Sequence, residues 1–251
     1  MSETSSGPLS GRRALVTGGS RGIGSGIVRR LAADGAQVAF TFKSSTGAAE
    51  AVSAEVAASG GVAVAIAADS ADPAAVGLAV KRAVAALGGL DILVNNVGAA
   101  HIAPIDQYPW EQFDDMVAVN IRGTFAFIRH ALPHLGTGAR IINIGSINAE
   151  RVQSPGLAIY AMTKGAIASL TRGMARDLGP RGITVNNVQS GPVATSANPE
   201  HGDHADWSRA IMALGRYGTT AEVAAVVSFL AGPESAYVTG ASWNVDGGFT
   251  V

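Results

Sequence analysis

The stretch Thr17-Gly18-Gly19-Ser20-Arg21-Gly22-Ile23-Gly24 decides the fold. It follows the apolar run Ala14-Leu15-Val16 and opens a helical pattern of Ile27, Val28 and Leu31. Strand, glycine turn and helix start, in that order, make a phosphate-binding turn. Gly18 and Gly22 let the backbone bend tightly and approach a ligand, since no Cβ intervenes. Gly24 lets the helix pack close to the strand. The free N–H groups at the helix start then face an anion with the positive end of the helix dipole behind them, and a dinucleotide pyrophosphate is the natural guest. The glycines fall as G-x-x-x-G-x-G rather than the commoner G-x-G-x-x-G, so the motif alone also fits a glycine-rich turn with no ligand.

Outward from that turn the chain alternates. Strands are expected at 14–17, 37–42, 62–67, 91–95, 141–144, 183–188 and 242–245. Helices are expected at about 22–34, 48–59, 72–87, within 110–135, at 158–178 and at 221–231. The strands are continuous apolar runs, as in a parallel sheet covered on both faces. The reading is an α/β protein: one Rossmann-type, doubly wound parallel sheet of about seven strands with helices on both faces. No linker or repeat divides it. Residues 1–10 read as a loose tail and 11–251 as a single domain, in which the polar, His-rich stretch 194–213 has no clear period and reads as a lid over the substrate.

Composition narrows the function. With 47% apolar residues among 251 the chain has enough for a large core, and a net charge of −1 gives no basic excess for nucleic acid or an anionic membrane surface. There is no cysteine, which removes disulfides, thiolate catalysis and Cys-ligated zinc. Met1–Ser10 lacks the apolar core of a signal peptide and no apolar run approaches a membrane span, so a cytoplasmic protein is expected. His201 and His204 have metal-like spacing but no second matching cluster, and no metal is expected.

In a doubly wound sheet ligands sit beyond the carboxyl ends of the strands. Small or polar residues lie there after each strand: Gly18–Gly24, Lys43–Ser45, Asp69-Ser70, Asn96–Gly98, Ser146–Asn148 and Ser190–Thr195. Tyr160 and Lys164 lie four apart in a helical pattern and so share a face. An ammonium beside a phenol favours the phenolate, and such a tyrosine can pass a proton to or from a substrate oxygen. Ser146, at the end of strand five, can hydrogen-bond the same oxygen, or simply cap a turn.

These pieces in this order resemble the short-chain dehydrogenase/reductases, of the 3-oxoacyl-carrier-protein-reductase-like type, over nearly the whole chain. The matching parts are the TGGSRGIG turn, NNVG at Asn95–Gly98, Asn120, Ser146, the Y-x-x-x-K of Tyr160 and Lys164, and the terminal VTGASWNVDGG. The resemblance implies a nicotinamide cofactor and a small ketone or secondary alcohol as substrate. It implies Tyr160 as general acid/base, Lys164 as partner of the nicotinamide ribose, Ser146 as the group orienting the carbonyl, and Asn120 as holder of a relay water. For the cofactor it implies Gly18, Ser20, Arg21, Gly22, Ile23 and Gly24 at the pyrophosphate, Phe42, Lys43 and Ser44 at the end of strand two, Asp69 and Ser70 at the adenine, and Asn96 and Gly98 along the ribose. Gly191, Val193 and Thr195 would close over the nicotinamide, although Ser190 stands where the family has Pro, which fixes φ as Ser does not. A homotetramer is implied as well.

Cofactor choice follows from charge. An acidic residue after strand two would bind the ribose 2′-OH of NAD. Here Phe42 is followed by Lys43, and Arg21 lies nearby; two cations can meet a 2′-phosphate, so NADP(H) is favoured over NAD(H). The function expected is an NADPH-dependent carbonyl reductase. The alternatives are reduction of 3-oxoacyl groups on a carrier protein, and a nucleotide-binding regulator with little turnover.

Overall fold

The structure, a computed structural model, describes residues 7–251. Seven strands form one sheet in the order β3-β2-β1-β4-β5-β6-β7, every pairing parallel. The strands are β1 (Arg13–Val16), β2 (Gln37–Phe42), β3 (Val62–Ala67), β4 (Ile92–Asn95), β5 (Arg140–Ser146), β6 (Thr184–Ser190) and β7 (Ser242–Val245). The helices are α1 (Gly22–Ala33), α2 (Thr46–Ala58), α3 (Pro73–Leu87), α4 (Trp110–Met116), α5 (Thr124–Ala131), α6 (Ala158–Leu178), α7 (Asp203–Ile211) and α8 (Thr220–Ala231). The longest expected helix has the bounds expected of it, and β2, β3 and β7 begin and end where the apolar runs do.

Strand periodicity sends alternate residues to two cores. Ala14, Val16, Val38, Phe40, Ile142 and Ile144 pack with α1, α2 and α8 through Ile27, Leu31, Val52, Val223 and Val227. Leu15, Ala39, Leu93, Ile141 and Val185 pack with α3, α5 and α6 through Val76, Val80, Phe127, Met174 and Leu178. The winding reverses at β1, whose two neighbours are β2 and β4, so a crevice opens above the ends of β1 and β4.

Two local expectations change, and a third gains detail. Of the tail, residues 1–6 lie outside the described residues, but Gly7–Ser10 form a turn rather than a loose end. Leu9 is fully buried in the α1–α8 core and its N–H donates to Asp34 O at 2.9 Å. One apolar side chain and a close backbone approach suffice to pin it.

The helical stretch expected within 110–135 is present and ends at Leu132–His134, but it is not one regular α-helix. α4 runs into π-helical turns at Val117–Gly123 and then α5. Of its aromatic residues only Phe127 is core; Trp110 is 80% and Phe125 54% exposed.

Finally, the stretch expected to be aperiodic contains α7. Its anchors are small: Ala205 and Ser208 are buried, whereas Trp207 and Ile211, the apolar residues conspicuous in the sequence, are exposed. No helix among the described residues is long and apolar enough to cross a membrane.

Candidate active site

The glycine turn is built as its spacing requires. Gly18 (φ 66°) and Gly22 (φ 55°) adopt left-handed backbone, which L side chains rarely tolerate. A Cβ on Gly24 would lie 2.2 Å from Gly18 O, and one on Gly19 would lie 2.6 Å from Phe40 Cβ. The turn is strapped to its neighbours by residues the sequence did not single out. Thr41 Oγ1 accepts from Gly18 N–H (3.1 Å), and buried Thr17 accepts at Oγ1 from the N–H groups of Asn96 (2.9 Å) and Val97 (3.0 Å). Asn96, expected along a ribose, also works inward: its amide donates to Thr17 O (2.9 Å) and Gly18 O (3.1 Å). A Thr after a strand carries no such signal in a sequence, because its partners lie about 80 residues away.

Above this turn lies a cleft of ≈ 530 Å³. It gathers Gly18, Ser20, Arg21, Gly22, Ile23, Gly24, Phe42, Lys43, Ser44, Asp69, Ser70, Asn96, Gly98, Tyr160, Lys164 and Thr195. Ser190, at the strand end where a ligand was expected, lines it as well; Asp115 and Val119 line it too and were not foreseen as ligand-facing. Gly191 and Val193 do not line it. Gly191 donates to Val245 O (3.0 Å) and has no room for a side chain against Asp246, while Val193 is 4% exposed and packs into the core. Asn120 and Ser146 are both buried and are not among its lining residues; Ser146 directly follows Gly145, which is.

Lys43 reaches across the mouth to Asp69, Nζ to Oδ2 at 2.7 Å. This bond raises the Lys43 pKa and, with the Ala71 N–H, holds the Asp69 carboxyl below the usual carboxylate range. The cation expected at a ribose phosphate therefore already has a carboxylate partner. Arg21, at the N-cap of α1, makes no capping bond with its side chain.

Tyr160 and Lys164 face the cleft from one side of α6. Lys164 is 5% exposed; its Nζ donates to Ile144 O (3.0 Å) and sits 5.7 Å from the Tyr160 ring centroid. Gly98 leaves room for it: a Cβ there would lie 3.3 Å from Nζ. Asn120, in the π-helical turns, holds the neighbouring Ala99. Its Oδ1 accepts from Ala99 N–H (2.7 Å) and its Nδ2 donates to Ala99 O (2.9 Å) and Thr163 Oγ1 (3.0 Å). The Asn120 side chain thus fixes backbone beside Lys164 rather than offering a free amide. Ser146 Oγ accepts from Asn148 N–H (3.2 Å), so it does cap a turn, and its own O–H remains available to donate.

Of the segment 194–213, Thr195, Ser196 and Ala197 line the cleft. His204 stacks on Trp207 (5.7 Å between ring centroids), and Trp207 meets Phe249 edge-on at 6.2 Å. No group of three His, Cys, Asp or Glu side chains that would hold a metal occurs among the described residues. With few buried side chains, amides of α7 are expected to exchange with solvent much faster than those of β5. Hydrogen exchange read by mass spectrometry checks this, and equal protection in the two would refute it.

Comparison with known proteins agrees with this architecture. The family model described as Enoyl-(Acyl carrier protein) reductase matches residues 18–250. A short-chain dehydrogenase/reductase structure from Serratia marcescens is 53% identical and superposes with a TM-score of 0.96, covering 97% of this chain and 100% of that one. A short chain dehydrogenase from Burkholderia cenocepacia, solved in complex with NADP, is 49% identical with a TM-score of 0.95 over 97% of this chain and 100% of that one. The cyclic-di-GMP-binding biofilm dispersal mediator protein of Escherichia coli K12 is 42% identical over 243 residues, 97% of this chain and 99% of that protein. With a family match over nearly its entire length, and a nucleotide-type crevice that meets a Tyr-Lys pair, this chain belongs to the short-chain dehydrogenase/reductase family.

Proposed function

We propose that the protein is an NADPH-dependent carbonyl reductase acting on ketones, and on secondary alcohols in reverse. The observation that carries this reading is that Tyr160 and Lys164 line the same cleft as the glycine turn. The residues present fit a dinucleotide: the tight turn, with Gly18 and Gly22 in left-handed backbone, lines the cleft together with Arg21, Asp69, Ser70 and Lys164. Arg21 and the N–H groups opening α1 would hold its pyrophosphate, Asp69 and Ser70 its adenine, and Lys164 its nicotinamide ribose. The NADP-bound relative from Burkholderia cenocepacia supports the phosphorylated form. When bound, the nicotinamide supplies hydride to the carbonyl carbon.

This chain's own groups manage the oxygen. The Ser146 hydroxyl donates a hydrogen bond that orients the carbonyl. The Tyr160 phenol delivers its proton to that oxygen as negative charge builds there. Lys164, held by Ile144 O and close to the ring, stabilises the phenolate left behind. Segment 194–213 serves as the lid that keeps water from the reacting centre.

The test is NADPH oxidation over a panel of ketones; no turnover with any of them would overturn the reading. Two further readings have specific support. The family model's carrier-protein description supports an acyl substrate held on a carrier, which would be reduced faster than the same acyl group free. The name of the Escherichia coli relative favours a nucleotide-binding regulator, which would bind NADPH and oxidise it with nothing.

A homotetramer is part of the proposal. Trp110, Phe125 and Tyr237 stand exposed, the kind of apolar surface that a second subunit covers. Light scattering is expected to report four times the 25.3 kDa chain mass, and a monomer at micromolar concentration would exclude it.

A further inference from the structure

The loop that begins at Ser146 and reaches α6 is tied down at one point by a closed triangle of side chains. Gln189, fully buried in β6, donates from Nε2 both to Glu150 Oε1 (2.9 Å) and to Asn244 Oδ1 (2.7 Å). Asn244, in β7, donates from Nδ2 to Glu150 Oε2 (3.4 Å) and closes the triangle. Strand register puts these bonds beside the chemistry: Gly145 pairs with Gln189, Ser146 with Ser190, and Gln189 with Asn244.

The C-terminal end extends the tie. Asn244 Nδ2 also donates to Thr250 Oγ1 (3.3 Å), which donates to Asp246 Oδ2 (2.7 Å), and Arg151 Nη1 donates to Phe249 O (3.0 Å). Beyond Ser146 the loop's other long-range ties are few: Gly156 O accepts from Ala103 N–H (3.2 Å) near its far end. The loop has no strand partner, and its short turn Ile147–Ala149 depends on the Ser146 cap itself.

We infer that Glu150 is a positioning residue: through Gln189 and Asn244 it locks the loop carrying Ser146 to β6 and β7, so that the C-terminal segment sets the geometry of carbonyl binding. Glu150 is itself exposed and does not line the cleft, so its effect travels through the loop. A carboxylate suits the place because its two oxygens can accept from two different amides at once. Misplacement of a catalytic group by a fraction of an ångström costs rate rather than fold, which is what distinguishes positioning from stability.

The inference rests on the carbonyl-reductase reading for its kinetic arm and stands apart from it in a second. In Glu150→Ala, kcat for ketone reduction should fall about tenfold or more, since orientation of reacting groups carries large factors. NADPH Kd and Tm should stay close to wild type, because the glycine turn and both cores are untouched. Glu150→Gln keeps an oxygen for the Gln189 amide and should recover most of the loss.

The second arm is hydrogen exchange of residues 147–157, expected to accelerate in Glu150→Ala, not in Glu150→Gln, with β5 protection unchanged. If the wild type reduces no ketone, the functional reading fails and this exchange comparison alone decides the inference. Exchange equal in all three proteins overturns it. So does an undiminished kcat in Glu150→Ala, or a loss in Glu150→Gln as deep as in Glu150→Ala.

Discussion

Tyr160→Phe is expected to remove ketone reduction while leaving NADPH binding within about twofold, since a positioned general acid contributes roughly 10²–10⁴ in rate and the ring contributes only packing. The substitution deletes one oxygen. The backbone of residue 160 keeps its bond from Thr163 Oγ1 (2.8 Å), and Lys164 keeps its anchor on Ile144 O and its place 5.7 Å from the ring centroid. The cleft therefore retains its shape and its cation, and the ammonium remains free to meet a ribose.

On the proposed mechanism, what goes is the proton donor. Ser146 cannot replace it: its hydroxyl can donate a hydrogen bond but is far too weak an acid to complete the transfer, and it lacks a cation of its own. Steady-state reduction of the best ketone, with NADPH affinity measured by fluorescence titration, checks both halves. A variant that retains more than about a few per cent of wild-type rate would take Tyr160 out of the acid role.

Much of this was legible because it is local. The glycine turn, the strand ends and the i, i+4 pair Tyr160 and Lys164 are short patterns whose geometry follows from φ/ψ preference and helical period. The apolar runs named the strands because a sheet buried on both faces is built mostly of apolar residues, although β5 and β6 also bury Asn143, Asn186, Asn187 and Gln189.

What escaped was long-range. Thr17 and Asn96 grip each other across 79 residues, and Gln189 finds Glu150 39 residues back. No periodicity announces such pairs. Helix α7 escaped for another reason: it is held by Ala205 and Ser208, which make no amphipathic stripe, while its large apolar residues point out. Leu9 hid in a polar stretch for the same lack of period. Lys43 was read correctly as a cation at the end of β2. Its partner was not, because Asp69 belongs to the loop after β3, and only the pairing of β2 with β3 brings the two within 2.7 Å.

That pair shapes the second large effect, reversal of cofactor preference at β2. Phe42 ends the strand, is half-buried, and lines the cleft beside Lys43 and Asp69. Phe42→Asp puts a carboxylate where an adenine ribose would sit. Toward NAD it gains a hydrogen bond from the 2′-OH. Toward NADP it meets a phosphate of about −2 charge. Unit charges about 4 Å apart interact by roughly 4 kcal/mol at an effective dielectric near 20. Solvent screening in this open cleft removes much of that, but about 1.4 kcal/mol already means tenfold in affinity.

Lys43 would blunt the single change by sharing its charge between Asp69 and the new carboxylate. The double change Phe42→Asp with Lys43→Ile acts twice: it removes that neutralisation, and it strips Asp69 of the cation it now holds at 2.7 Å, adding a second unpaired negative group near the phosphate. The double variant is therefore expected to discriminate against NADP more strongly than the single one. Loss of the partly buried ring should lower Tm in both by a similar amount, so stability does not confound the comparison between them. The readout is kcat/KM with each cofactor for wild type and both variants. A wild type that already prefers NAD would overturn the role given to Lys43 and Arg21, and a double variant no more selective than the single would show that Asp69 does not face the phosphate.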